Sequence, residues 1–288
     1  MFKKLSLSAA LVMGMATSGF AAGGAAHVHD YDFSFEGPFG TYDQMQLQRG
    51  LQVYTEICAS CHGLKFLSFR NLGDNGGPEL PEDQVFAYAE FYEVWDPTLS
   101  DGDGDFRPAT PTDKFPEGAL SNAPDLTLMA KARAGFHGPM GTGISQLVNG
   151  MGGAEYIASL LAGYEDAPSC APDDFDGSYN AVFTAGGYPE ECKDEDGNHK
   201  YPGSWISMSQ PLYGDDVEYA DGASTELEDI AQDVSAFLMW TAEPKLIARK
   251  QAGLAGFIFL SLLSVLLYLT NKRLWAPVKK KAKAAAAE

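Results

Sequence analysis

The chemistry of this chain is concentrated in five consecutive residues, Cys58-Ala59-Ser60-Cys61-His62. Two thiols one turn apart can add to the two vinyl groups of a haem, and a histidine directly after the second lies beneath the iron as proximal ligand. The pattern occurs once, so the expectation is one covalently bound haem c. A redox Cys-x-x-Cys pair followed by an incidental histidine is the competing reading. The preceding residues weigh against it: Leu47, Leu51, Tyr54 and Cys58 recur at helical spacing through residues 43–58, so the motif closes an amphipathic helix.

A haem held by one histidine needs a decision about its other face. An open iron suits gas binding or peroxide chemistry, whereas a methionine or second histidine closes it for electron transfer. Downstream candidates are Met129, Met140, Met151, Met208 and Met239, with His137 and His199. Met239 stands beside Trp240 in a helical pattern and reads as core. Met140 in HGPMGTG and Met208 in GSWISMSQPLYG are loop methionines near Pro or Gly, and spacing leaves both open. Met208 has the better apolar wall in Trp205, Ile206, Leu212 and Tyr213.

The elements that must position these groups can be read around them. Leu227, Ile230, Val234, Phe237 and Leu238 form the apolar face of a helix over residues 226–241, with Thr225 and Glu228 as a capping box and Pro244 as its stop. This helix and the one before the motif are expected to cross, with Gly50 as notch and Tyr54 as filler. The remaining cysteines, Cys170 and Cys192, lie in loop-rich sequence with no histidine at zinc spacing. They read as a disulfide, a staple of ~3 kcal/mol on the segment leading to Met208.

Both ends carry membrane signals. Lys3 and Lys4, the apolar residues 5–20 and the small residues 21–24 have the order of a secretory signal peptide, taken as residues 1–23. Residues 252–270 carry no charge and would run roughly 28 Å as a helix at ~1.5 Å per residue, close to a hydrocarbon core of ~30 Å. Lys272, Arg273, Lys279, Lys280, Lys281 and Lys283 follow, which places the tail in the cytoplasm, with Trp275 at the interface. The organisation expected is a periplasmic haem domain over residues 24–250, a transmembrane helix over 251–271 and a basic cytoplasmic tail over 272–288. The membrane is then a bacterial inner membrane.

The formal net charge is −19, and every one of the 39 acidic residues except Glu288 lies between Asp30 and Glu243. Such a body repels nucleic acid and attracts a basic soluble protein. Acidic runs at residues 79–83, 101–105, 173–176, 190–196 and 215–221 are the candidate docking patches.

Taken together, RGLQVYTEICASCHGL (49–64), NAPDL (122–126), GAEYIASLLAGY (153–164), ISMSQPLY (206–213) and DVSAFLMWTAEP (233–244), followed by one C-terminal anchor, resemble the cytochrome c1 family in its alphaproteobacterial form. These are the haem subunits of quinol:cytochrome c reductase, the bc1 complex. The resemblance implies a mainly α, class I cytochrome c-like haem domain with long loop insertions plus one C-terminal transmembrane helix. It implies that Cys58 and Cys61 hold the haem, with His62 proximal and Met208, rather than Met140, distal. It further implies that Arg133 pairs with a haem propionate and that Tyr156 and Pro124 line the pocket. The implied role is to take one electron from a Rieske iron-sulfur protein and pass it to a soluble c-type cytochrome, beside cytochrome b. The chain would be a carrier by itself and part of an oxidoreductase only as a subunit. Two departures stand out: residues 136–149 are longer than in mitochondrial members, and Cys170 and Cys192 look like a bacterial elaboration.

Overall fold

The computed structural model describes residues 28–133 and 152–285. The expected signal peptide, His137, Met140, Met151 and the stretch at 136–149 lie outside the described residues. The chain divides into two compact units, one ending at Pro244 and one beginning at Lys245.

The first unit is built on helices α1 (Gln44–Glu56), α2 (Glu82–Glu90), α3 (Met129–Ala132), α4 (Gly153–Ala162) and α5 (Leu227–Ala242). Two short antiparallel ribbons accompany them. One pairs β1 (Glu93–Asp96) with β2 (Asp105–Pro108), and the other pairs β3 (Ser178–Asn180) with β4 (Ser204–Ile206). The fold is mainly α, and the ribbons belong to the long insertions between helices.

Helix α1 starts where Asp43 accepts from the Gln46 amide at 2.8 Å, satisfying one of the N–H groups that a helix start leaves without partners. Its Leu47, Gly50, Leu51, Val53 and Tyr54 are buried and face α5. Gly50 is the crossing point: a Cβ there would collide with the Asp233 carbonyl oxygen and the Phe237 Cβ. Tyr54 and Phe237 fill the space beside it, their ring centroids 5.9 Å apart. Full burial of each such side chain contributes roughly 1.5–3 kcal/mol.

The crossing also carries an ion pair that hydrophobic patterning does not show. Arg49 on α1 grips Asp233 on α5 through Nε to Oδ2 at 2.8 Å and Nη2 to Oδ1 at 3.2 Å, and reaches Asp221 at 3.0 Å. Burial pushes the Asp233 carboxyl up, and the guanidinium opposes that shift. Before α1, the aromatic rings of Tyr31, Phe33, Phe35 and Tyr42 follow one another at 5.0 to 6.4 Å. The Tyr42 hydroxyl reaches the carbonyls of Met239 and Glu243 at the end of α5.

One local expectation fails. The N-cap of α5 is Glu226, and no side chain caps the helix. Thr225 is held by Asp215 instead: its hydroxyl donates to the Asp215 carboxylate at 2.5 Å and its carbonyl accepts from the Asp215 amide at 2.7 Å. A tertiary partner has taken the side chain that the capping box required.

The second unit is the helix α6 (Leu246–Ala285), which contains the charge-free run and is long and apolar enough to cross a membrane. Its Phe257, Ile258, Leu262, Leu266 and Tyr268 are exposed. An apolar surface on all sides suits a lipid-facing helix.

Candidate haem site

Helix α1 ends at Glu56, and Cys58 to Ser60 form a single tight 3-10 turn. Cys58 therefore lies just beyond the amphipathic helix rather than within it. The Cys61 and His62 amides donate to the Cys58 carbonyl at 3.1 and 2.9 Å, which sets the two thiols and the imidazole on one turn. The Tyr54 hydroxyl, buried in the α1–α5 crossing, donates to the His62 carbonyl at 3.0 Å. The motif is thus tied to the helical core by its own helix.

A strap formed by residues 115–127 runs alongside. The Leu64 amide donates to the Pro116 carbonyl and the Leu126 amide to the Gly63 carbonyl, at 3.3 and 2.9 Å. Asp125 accepts from the amides of Lys65 and Thr127. Gly63 permits the close approach, because a Cβ there would strike the strap backbone at Pro116 and Gly118. The strap is fastened to α5 where the Thr241 hydroxyl donates to the Thr127 carbonyl at 3.1 Å.

The strap fixes the histidine's chemistry. The His62 Nδ1 lies 2.7 Å from the Pro124 carbonyl oxygen. A carbonyl has no proton to give, so Nδ1 carries the hydrogen, and in the neutral ring Nε2 keeps its lone pair. This is the orientation that a metal-ligating histidine takes when a backbone carbonyl holds its other nitrogen.

Cys58 and Cys61 are free, half-buried thiols. Burial, with the neighbouring Cys61 adding to it, pushes the Cys58 thiol up to about 12. A redox Cys-x-x-Cys pair works through a thiolate whose pKa is lowered. The environment of Cys58 runs the other way, so the donor set, two thiols beside an imidazole held at Nδ1, fits a covalently attached haem.

The other expected residues are distributed as follows. Arg133 is the exposed C-cap of α3, and its charge lies close enough to the Tyr156 hydroxyl on α4 to oppose the upward push that burial gives that phenol. Arg133 and Tyr156 are thus brought together. Met208 lies two residues beyond β4, half-buried, and its carbonyl accepts from the Tyr164 hydroxyl at 3.1 Å. Met239 is buried on α5. His199 stacks on Tyr188 with ring centroids 3.6 Å apart.

The Met208 segment is carried by a satellite module. Cys170 and Cys192 are joined as a disulfide with Cα atoms 5.3 Å apart. Cys192, Tyr179 and Trp205 form a small buried core against which Cys170, Ala171, Phe175 and Tyr188 pack. Trp205 belongs to β4, so the staple backs the strand that precedes Met208.

Two features escaped sequence reasoning. One is the Tyr164 anchor, a contact across 44 positions with no local signal. The other is a carboxyl pair: Glu155 on α4 is 1% exposed and lies within hydrogen-bonding reach of Glu36. Burial and the neighbouring Glu155, Asp30 and Asp32 push the Glu36 carboxyl up to about 8. A glutamate on the buried face of GAEYIASLLA was the available signal for it.

Comparisons with known proteins agree with this geometry. Residues 33–278 match the model of the Cytochrome C1 family. The chain is 59% identical to a cytochrome c1 of Cereibacter sphaeroides, over 98% of this chain and 99% of that protein. It is 35% identical to the mitochondrial cytochrome c1 heme protein of Saccharomyces cerevisiae, over 90% of this chain and 75% of that one. It is also 34% identical to a mitochondrial cytochrome b-c1 complex catalytic subunit of Candida albicans, over 90% of this chain and 81% of that one. A turn of two free thiols and an oriented histidine, set on crossed helices and matched along nearly its whole length, places this chain in the cytochrome c1 family.

Proposed function

We propose that this chain is the electron-transfer subunit of a cytochrome bc1 complex, accepting an electron from a Rieske iron-sulfur protein and passing it to a basic soluble c-type cytochrome. The observation that carries the reading is the Pro124 hold on His62, which leaves Nε2 free beside two unpaired thiols.

Cys58 and Cys61 would hold the haem through two thioether links to its vinyl groups. His62, through Nε2, and Met208, through its thioether, would be the residues that ligate the haem iron. Arg133 would pair with a propionate, and Tyr156 and Pro124 would line the pocket. Haem iron, when bound, alternates between ferric and ferrous and so carries one electron. A histidine and a methionine together hold the potential higher than two histidines would, as an acceptor from a high-potential Rieske centre requires.

The acidic body steers a basic partner towards the site, and the bias of basic residues after α6 supports a periplasmic body with a cytoplasmic tail on the inner membrane. The test is purification through a tag on this chain. Cytochrome b and a Rieske protein should accompany it, and the rate of electron transfer to a basic cytochrome c should fall as salt rises. A chain that purifies without either subunit would overturn the assignment to the complex.

A further inference from the structure

Met208 lies in a segment without regular structure, two residues beyond the end of β4. A distal ligand so placed is only as firmly presented as its backbone is held. Two sets of bonds hold it. The first runs through the sheet: β4 pairs with β3 in the register Tyr179 to Trp205 and Ser178 to Ile206. β3 is in turn stitched to the end of α4, where the Ala181 amide donates to the Gly163 carbonyl at 2.9 Å. Asn180, fully buried, donates to the Leu160 carbonyl at 2.8 Å and accepts from the amides of Val182 and Phe183. This set folds the module and does not touch Met208 itself.

The second set is one bond. The Tyr164 hydroxyl, two residues beyond the end of α4, donates to the Met208 carbonyl at 3.1 Å. The same helix carries Tyr156, so α4 joins a residue of the proposed haem pocket to the backbone of the proposed ligand through one rigid element.

We infer that Tyr164 is a positioning residue for the distal ligand, its hydroxyl fixing the Met208 carbonyl to the end of α4 and so setting how firmly the Met208 thioether is presented to the haem. The inference rests on Met208 being that ligand. The bond competes directly with release of the loop. A hydrogen bond of ordinary net strength corresponds to roughly a two- to tenfold change in such an equilibrium. Because the β3–β4 register and the Asn180 bonds remain when the hydroxyl is removed, the fold survives while the ligand loosens.

The test is Tyr164→Phe in the full-length, haem-loaded protein. Imidazole, added to the ferric form, competes with the thioether and reports how easily it leaves. The expected result is a two- to tenfold gain in imidazole affinity and a lower midpoint potential, with covalent haem content unchanged. Placing p-aminophenylalanine at position 164 returns a donor to the same end of the ring and should restore both values. Parental imidazole affinity and potential in Tyr164→Phe would overturn the inference. So would failure of the amino side chain to restore them, since the effect would then come from packing. Met208→Leu run in parallel separates the two readings. If it leaves the potential unchanged, the ligand assignment itself fails; if it shifts the potential and Tyr164→Phe does not, only the Tyr164 inference fails.

Discussion

On the His62 side, the anchors come from the helical core or from a strap fastened to it: Tyr54 on α1, Pro116 and Pro124 in the strap, and Thr241 on α5, which holds the strap. On the Met208 side, the anchors come from a disulfide-stapled module and one long-range tyrosine. The His62 half of the proposed site is part of the fold's main core, while the proposed Met208 half hangs from a small core of its own. Haem attachment should therefore depend on the α1–α5 crossing, and haem potential on the module. Damage to one should leave a signature different from damage to the other.

The largest effect is expected where the crossing is cut. Arg49→Leu leaves the Asp233 carboxylate buried without its cation, a loss of about 3–5 kcal/mol. Chemical denaturation of the full-length protein should show this, with covalent haem yield falling alongside. Adding Asp233→Leu should recover much of the stability, because no buried charge then remains. A loss below about 1 kcal/mol in the single variant would mean the pair is not what holds α1 on α5.

Next comes the distal staple. Replacing both Cys170 and Cys192 with serine removes a cross-link worth about 2–4 kcal/mol. The haem should remain covalently attached while its potential falls, because the loosened strand is the one that delivers Met208. A wild-type potential in this variant would reduce the disulfide to a stability device and blur the contrast between the two sides.

The smallest effect concerns Glu36 and Glu155. The folded protein holds the Glu36 proton at about 8 against an ordinary 4.5, so the folded state binds it more tightly than the unfolded chain does. Stability from this group is complete below the unfolded value and is lost as pH rises through about 8. The melting temperature should decline as pH rises from about 4.5 to about 8, and Glu36→Gln should flatten that decline. An identical slope in the variant would remove Glu36 as its source.

The same division marks what the sequence makes legible. Cys58, Cys61, His62, the apolar faces of α1 and α5 and the Gly50 notch are all written within a few turns of chain, where periodicity and motif spacing operate. The β3–β4 ribbon and the Tyr164 anchor join residues far apart, where no local pattern marks the partner, and the Thr225 bond to Asp215 overrides a local preference. Thr225 shows the competition most plainly, since a sound capping pattern yields to a partner ten positions away. Arg49 stands between the two cases, being local in sequence but explained only by Asp233 and Asp221 on distant segments.

The assignment of the two faces of the iron is tested most directly by a redox titration of Met208→Leu beside the parent, with carbon monoxide added to the reduced forms. The account predicts that the variant keeps its covalent haem, loses potential and binds carbon monoxide, while the parent does not bind it. A variant with the parental potential and no carbon monoxide binding would contradict the account.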